Sequence, residues 1–159
     1  MIYDGGCLCG AVRYRIDGEP LSAGYCHCRM CQRAAGAPVV AWVAFRRGSF
    51  RIVKGEPAAV RASPRATRRF CSRCGSALTF EYSSSTDTVD VTIATLDDPN
   101  AAEPVYQIWT SSRVPWLHLE SQGPHFKGDP PGSPGAKEPS FPPAGRAGSA
   151  RPGPTARRR

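Results

Sequence analysis

The grouping of its seven cysteines is the feature that most constrains how this 159-residue chain can fold. All of them fall into three short clusters, Cys7-x-Cys9, Cys26-x-Cys28-x2-Cys31 and Cys71-x2-Cys74. Two or three thiolates brought together by a tight turn suit a zinc ion, which prefers tetrahedral sulfur ligands at about 2.3 Å. Seven sulfurs divide into a closed set of four and an open set of three, and an open zinc site is typical of a catalytic centre.

A disulfide framework is the competing interpretation, and the sequence disfavours it. Seven is an odd number of cysteines, so one thiol would stay unpaired. Cysteines two or three positions apart rarely bridge each other, because a disulfide has strict geometry. The first residues also lack the apolar stretch of a secretory signal peptide. We therefore expect reduced thiols that bind metal, in a cytoplasmic protein.

Composition separates a folded region from a tail. Residues 124–159 hold nine of the sixteen prolines, six of the sixteen glycines and seven of the 21 Lys and Arg residues. Such a segment buries too little apolar surface to offset the entropy cost of ordering it. We predict one zinc-binding domain over residues 1–127 and a disordered, basic tail over residues 128–159. A solubilising role for the tail is favoured, and contact with nucleic acid or an acidic surface is the alternative.

Short β-like segments dominate the predicted domain. Apolar alternation and apolar runs predict strands at 10–16, 39–45, 49–54, 60–63, 77–82, 89–95 and 105–110, and one short helix at 29–35. This pattern predicts a mainly β, antiparallel domain. No run approaches eighteen consecutive apolar residues, so we expect no membrane contact. The pattern gives no indication of the oligomeric state.

The first and last cysteine pairs are predicted to share one metal. In an extended segment Cys7 and Cys9 face the same side, which would direct Leu8 into the core. Cys71 and Cys74 flank a tight turn that resembles a zinc knuckle. Together the two pairs supply the closed set of four sulfurs and would fasten the start of the domain to its middle.

The middle cluster supplies three sulfurs without an obvious fourth ligand. An extended backbone would aim His27 away from the metal, so a supporting or core role is favoured for it. His118 and His125 are remote in sequence, and we expect water or substrate in the fourth position. Three thiolates give a zinc centre a formal charge of about −1, which favours a soft ligand such as a thiol over activation of water.

Charged and aromatic residues near the clusters leave several roles open. Basic side chains either hold an anionic thiol or offset the charge of the zinc–thiolate centres: Arg29, Arg33, Arg68, Arg69 and Arg73. Arg113 suits either a substrate carboxylate or a salt bridge to Asp97 or Asp98. Trp42 is predicted to be core. Buried packing is favoured over a pocket position for Trp109 and Trp116.

These motifs together resemble the glutathione-dependent formaldehyde-activating enzyme family, which includes the centromere protein V type. The resemblance covers residues 3–126 and rests on Gly-Gly-Cys7-Leu-Cys9-Gly, Cys26-His-Cys28-Arg-Met-Cys31, Phe70-Cys71-Ser-Arg-Cys74-Gly and Ser112-Arg-Val-Pro-Trp116. The chain departs from the family pattern at Gln107, near where a histidine often stands, and in its tail. The resemblance implies a small β-tent-like fold and two zinc ions: a structural one on Cys7, Cys9, Cys71 and Cys74, and a catalytic-type one on Cys26, Cys28 and Cys31.

The resemblance also implies an activity. The family's namesake reaction joins glutathione and formaldehyde to S-(hydroxymethyl)glutathione and is classed as a carbon–sulfur lyase in its reverse sense. We therefore expect a lyase with a small-molecule thiol, glutathione or another, and an aldehyde as partners. The alternative is a non-catalytic zinc-binding module that binds a macromolecular partner. A third interpretation gives all seven thiolates a role in folding only.

Overall fold

The computed structural model describes residues 1–64, 66–83, 87–120 and 123–133. In these residues the chain is mainly β, as predicted. The strands are β1 Ile2–Gly6, β2 Arg13–Asp17, β3 Ser22–Cys26, β4 Val40–Arg46, β5 Phe50–Lys54, β6 Ala58–Ser63, β7 Ala66–Phe70, β8 Ala77–Tyr82, β9 Thr88–Thr92 and β10 Tyr106–Ile108. One α-helix, α1, spans Arg29–Ala35, and 3-10 helices cover Arg47–Ser49, Ile93–Thr95, Pro99–Ala101 and Thr110–Ser112. No helix in the described ranges has the length and apolar character needed to cross a membrane.

The strands form two sheets. The smaller has the order β1-β2-β5, and the larger has the order β10-β3-β4-β9-β8-β7-β6. Neighbouring strands run antiparallel, except that β10 pairs with β3 in parallel. This arrangement places the end of β3, the start of α1 and the last strand side by side.

The core lies between the two sheets. On β2, Tyr14 and Ile16 are fully buried, while Arg15 on the opposite face pairs with Asp4 at 2.7 Å. The predicted alternation of this strand is therefore confirmed. Tyr3 of the smaller sheet packs on Phe45 of the larger, with ring centroids 5.3 Å apart.

Three strands were not predicted from the sequence: β1, β3 and β7. Their sequences, Ile-Tyr-Asp-Gly-Gly, Ser-Ala-Gly-Tyr-Cys and Ala-Thr-Arg-Arg-Phe, carry glycines or adjacent charges that disfavour a strand locally. In the fold β3 and β7 lie inside the larger sheet, where neighbours on both sides satisfy their backbone groups. Tertiary pairing therefore overrides local preference in these segments.

Helix α1 begins and ends where predicted. The Sγ atom of Cys28 accepts a hydrogen bond from the Cys31 amide at 3.3 Å and so caps the first turn. Gly36 ends the helix with a φ of +62°, a conformation that glycine adopts without strain. A cysteine that is predicted to bind metal thus also caps the start of the helix.

The predicted tail begins inside the described part of the chain. Residues 128–133 are described, and the Asp129 carboxylate accepts a hydrogen bond from Trp109 Nε1 at 2.7 Å. Residues 134–159, the greater part of the predicted tail, lie outside the described residues. The domain boundary after residue 127 therefore stays a prediction.

We predict that Gly24→Ala destabilises the domain. A Cβ at this position of β3 would overlap the ring of Tyr106 on β10, so the ring and its strand would have to shift. We expect a loss of about 1–3 kcal/mol in the free energy of unfolding, measured by urea denaturation.

Gly48→Ala is the matched control for this substitution. Nothing lies within 4 Å of a Cβ at Gly48, so this variant should unfold close to the wild type. Equal effects of the two substitutions would contradict the close packing of Tyr106 on Gly24.

Candidate metal centre and adjoining pocket

The four-sulfur cluster, made of Cys7, Cys9, Cys71 and Cys74, joins the two sheets. Cys7 and Cys9 lie in the turn between β1 and β2, and Cys71 and Cys74 in the turn between β7 and β8. Their four Sγ atoms lie within 4.8 Å of one another. The Cys7–Cys9 and Cys9–Cys71 sulfur pairs are 3.6 and 3.8 Å apart, close to the edge of about 3.8 Å in a tetrahedral zinc–sulfur site. The donors therefore fit a zinc ion.

The local backbone differs from the expectation at one residue. Leu8 was predicted to point into the core, but it is 89% exposed. Residues 8 and 9 form a tight turn rather than an extended segment. The Val12 amide donates to Cys7 Sγ at 3.2 Å, and Gly10 has a φ of +68°. The turn brings both sulfurs to one point and leaves Leu8 on the outside.

The three-sulfur cluster, made of Cys26, Cys28 and Cys31, lies at the junction of β3 and α1. Cys26 ends β3, Cys28 caps the helix and Cys31 lies in its first turn. Their Sγ atoms are within 4.8 Å of one another, and Cys26 and Cys31 are buried. All seven cysteines are free thiols, so the disulfide interpretation is wrong. The structure thus brings together the sulfurs that the sequence grouped as four and three.

Three thiols at this separation cannot all ionise without a cation. Hydrogen bonds with Cys26 and Cys28, helped by the nearby Arg68 guanidinium, hold the pKa of Cys31 well below its usual range. Its two neighbours raise the pKa of Cys26 well above the usual value. The pKa of Cys28 rises to about 11, because Cys31 and burial outweigh its favourable hydrogen bond with Cys26. Ionisation of the three thiols together is therefore disfavoured, and a bound metal ion would displace their protons.

Arg68 is the predicted arginine that contacts this cluster. Its Nη2 atom donates to Cys31 Sγ at 3.2 Å, and its guanidinium lies over the rings of Trp42 and Phe80 at 5.7 and 4.8 Å. The residue is buried. Of the two roles left open for the basic residues, this geometry supports charge compensation at the thiolate centre.

The other basic candidates make different contacts. Arg69 pairs with Glu81 at 3.0 Å, and Arg29 donates to Gln32 at the rim. Arg33, Arg73 and Arg113 are exposed. The salt bridge suggested for Arg113 with Asp97 is not formed, because Asp97 pairs with Arg13 instead.

His27, between Cys26 and Cys28 of the three-sulfur cluster, is held in place by hydrogen bonds. It is fully buried, its Nε2 pairs with Gln107 Oε1 at 2.8 Å, and Gln32 Nε2 donates to its carbonyl at 2.8 Å. The Nε2 atom of Gln107 in turn lies 3.2 Å from Nε2 of His125. His118 is exposed, and the set of three sulfurs includes no histidine. The supporting role predicted for His27 agrees with this geometry.

A pocket of about 680 Å³ opens directly onto the three sulfurs. Trp42, which was predicted to be core, is only partly buried and lines this pocket together with Trp109. Trp116 is 67% exposed and lies outside the lining, so packing was the wrong expectation for it. Of the two pocket positions that the sequence left open, Trp109 takes one, and the remaining walls come from segments up to more than 100 residues apart, which local pattern does not bring together.

Asp90 lines the pocket and has an altered acidity. Burial, together with the charges of Cys31 and Asp129, raises its pKa to about 7, and Arg68 opposes this shift. Asp90 lies on β9, a strand from which the sequence predicted no site residue. A solitary acid in an apolar β-strand is the signal that could have found it.

Comparisons with known proteins agree with this geometry. The sequence profile described as "Glutathione-dependent formaldehyde-activating enzyme" matches residues 2–112. The chain belongs to this family. The resemblance predicted from the cysteine motifs is therefore confirmed.

Two relatives carry related names. A Halomonas elongata protein, named provisionally as a glutathione-dependent formaldehyde-activating enzyme, is 30% identical over 133 residues, 77% of this chain and 83% of that protein. An uncharacterised lyase of Schizosaccharomyces pombe is 32% identical over 81 residues, which make up 50% of this chain and 58% of the relative's length. A crystal structure of a Rhodobacter sphaeroides protein superposes with a TM-score of 0.50 at 26% identity, covering 59% of this chain and 87% of that one.

We predict that Asp90→Asn changes the pH dependence of stability. A carboxyl group with a raised pKa stabilises the fold while protonated, and this contribution is lost as the pH rises from about 4 towards 7. Asparagine does not titrate. Between pH 5.5 and pH 8 the zinc-loaded variant should therefore gain on the order of 1–2 kcal/mol of unfolding free energy relative to the wild type, measured by urea denaturation.

Asp87→Asn, at an exposed carboxylate of the same segment, is the control and should track the wild type at both pH values. A constant difference between Asp90→Asn and the wild type across this range would show that burial does not hold a proton on Asp90.

Proposed function

We propose that this protein is a zinc-dependent carbon–sulfur lyase acting on a thiol–aldehyde adduct, of which S-(hydroxymethyl)glutathione is the form that the family description suggests. The observation that carries the proposal is the position of the three-sulfur cluster at the wall of a pocket of about 680 Å³. A purely structural zinc site is closed by four protein ligands, whereas this one has three sulfurs and an adjoining space of substrate size.

The donor set suggests how the centre would work. Cys26, Cys28 and Cys31 would hold the zinc ion, which would supply an open coordination position and favour the thiolate form of a thiol. Arg68, through its hydrogen bond to Cys31 Sγ, fixes one sulfur and offsets part of the negative charge. The buried contacts of His27 with Gln107 and Gln32 fix the backbone between the first two ligands.

Asp90 accounts for the proton in the proposed reaction. The thiol loses its proton to a carboxylate as it ionises, the thiolate sulfur bonds to the aldehyde carbon, and the electron pair of the C=O π bond moves to oxygen, which then takes up that proton. Asp90 has a pKa of about 7 and lines the same pocket, so we assign this transfer to it. In the reverse direction its carboxylate takes the proton back as the carbon–sulfur bond breaks.

The remaining features of the proposal rest on the family and the relatives. Two zinc ions per chain, one in each cluster, fit the sulfur positions, and a cytoplasmic location fits reduced thiols. The alternative of a non-catalytic module that binds a macromolecule depends on the basic tail, which lies mainly outside the described residues. It stays a prediction.

We predict that Cys28→Ser removes one zinc ion and the activity while keeping the fold. A serine hydroxyl can accept the Cys31 amide hydrogen bond, so the helix keeps its N-terminal cap. We expect zinc content to fall from about two ions per chain to about one, and exchange between glutathione plus formaldehyde and their adduct to return to the spontaneous rate. Metal analysis and NMR exchange spectroscopy of ¹³C-formaldehyde measure these two quantities.

Ala34→Ser puts the same hydroxyl on the exposed side of the same helix and is the matched control. It should keep both zinc ions and the wild-type exchange rate. If Cys28→Ser loses a zinc ion but still accelerates exchange, the catalytic assignment of this centre is wrong.

A further inference from the structure

The pocket beside the three-sulfur cluster is lined in part by the last described residues of the chain. Phe126 and residues 129–133 belong to this lining, although the sequence predicted a disordered tail from residue 128 onwards. We call residues 124–133 the strap. The three sulfurs lie at the wall of the same pocket of about 680 Å³, so the strap bounds the space into which the body of a sulfur-bound thiol must extend.

The first half of the strap, residues 124–128, is fastened to β10 and to the residues that follow it. The Gln107 amide donates to the Pro124 carbonyl at 3.0 Å, and the Phe126 amide donates to the Gln107 carbonyl at 2.8 Å. The Thr110 hydroxyl adds a hydrogen bond to the Phe126 carbonyl at 3.0 Å. This half therefore extends the larger sheet beyond β10.

The second half of the strap, residues 129–133, is attached differently. Among the described residues, its backbone hydrogen bonds connect Ser133 with Pro130 and do not reach the rest of the domain. Asp129 supplies an attachment, because its carboxylate accepts a hydrogen bond from Trp109 Nε1 at 2.7 Å. We call this hydrogen bond the latch. The position of this part of the pocket wall depends on it.

Trp109 is held in an unusual conformation at the same place. Its φ of +56° lies in the left-handed region, which a bulky residue adopts only where the surrounding contacts impose it. Its amide donates to the Gly128 carbonyl at 3.1 Å, and its indole donates to Asp129. Both contacts come from the strap, so the strap helps to offset the backbone strain of Trp109.

The side chain of Trp109 also packs beside the predicted metal centre. It lines the pocket and lies against the buried cluster that contains Cys26 and Cys31. The Ser112 carbonyl, at the end of the 3-10 helix that follows Trp109, accepts a hydrogen bond from Gln32 of α1 at 3.2 Å. Trp109 therefore contacts the strap through its polar atoms and the sulfur cluster through its ring.

We propose that Trp109 is a positioning residue: latched to Asp129, it holds residues 129–133 against the body of a thiol whose sulfur binds at the three-sulfur cluster. The proposal rests on the proposed function for the binding of the sulfur, and it adds the residues that hold the rest of the molecule. A long thiol such as glutathione gains affinity from the latch. A thiol too short to reach the strap does not.

Thiol binding to the full-length protein with cobalt(II) in place of zinc tests the proposal. Cobalt at the three-sulfur cluster gives absorption bands that change when a fourth sulfur binds, while cobalt at the four-sulfur cluster gives a constant background. The probes are glutathione and 2-mercaptoethanol, whose bodies differ in length. The measured quantity is the affinity of each thiol for the wild type and for each variant.

Two substitutions break the latch from opposite sides. Trp109→Phe keeps a ring but removes the indole N–H, and Asp129→Ala removes the acceptor. Each should weaken the binding of glutathione about tenfold and leave the affinity for 2-mercaptoethanol unchanged. The combined variant should lose no more than either single variant, because both substitutions break the same hydrogen bond.

Two further variants serve as controls. Asp129→Asn keeps an oxygen that can accept the indole hydrogen bond, so it should restore most of the affinity for glutathione. Asp17→Ala removes an exposed carboxylate at the end of β2 in the smaller sheet and should bind both thiols as the wild type does.

The outcomes separate this proposal from the proposed function. If the two losses add in the combined variant, or if each single variant weakens both thiols equally, the latch is overturned and the open sulfur site still stands. If neither thiol changes the cobalt bands of the wild type, the open site is wrong, and the role of the latch is overturned with it.

Discussion

The mutual repulsion of closely held thiolates, and its relief by a cation, is the interaction on which this structure depends. One cluster lies between the sheets and the other lies where β3 meets α1. Each site gathers sulfurs that could not ionise together alone. A metal ion bound at either site would add its binding free energy to the stability of the fold, and a domain of this size, with a modest core between two sheets, would benefit from it.

The parts of the fold that follow from local pattern were predictable. Tyr14 and Ile16 alternate with charged residues, and burial of one face is the direct result. The helix limits follow from Cys28 and Gly36 at its ends. The cysteine spacings predicted which sulfurs lie together in sets of four and three. The strand, the helix and each cysteine motif taken singly are decided within about ten residues of chain. The pairing of Cys7 and Cys9 with Cys71 and Cys74 was inferred from the number of sulfurs instead.

The parts that depend on distant partners were not predictable. Strand β7 carries two adjacent arginines, and its place in the sheet depends on β6 and β8 rather than on its own composition. Leu8 faces solvent because a turn, not a strand, brings its flanking sulfurs together. The pocket and the altered acidity of Asp90 arise where separate strands meet, and a single sequence shows no sign of such a meeting.

Cys28 links the helix to the metal centre through a single atom. Its Sγ accepts a hydrogen bond from the Cys31 amide and belongs to the three-sulfur set, so one rotamer both caps the helix and places the sulfur beside Cys26 and Cys31. The first turn of α1 also carries Met30, which lines the cavity wall. A metal ion bound at this centre would therefore hold the same helical turn that forms part of the pocket wall, so that ligand binding in the pocket and metal binding would share one element.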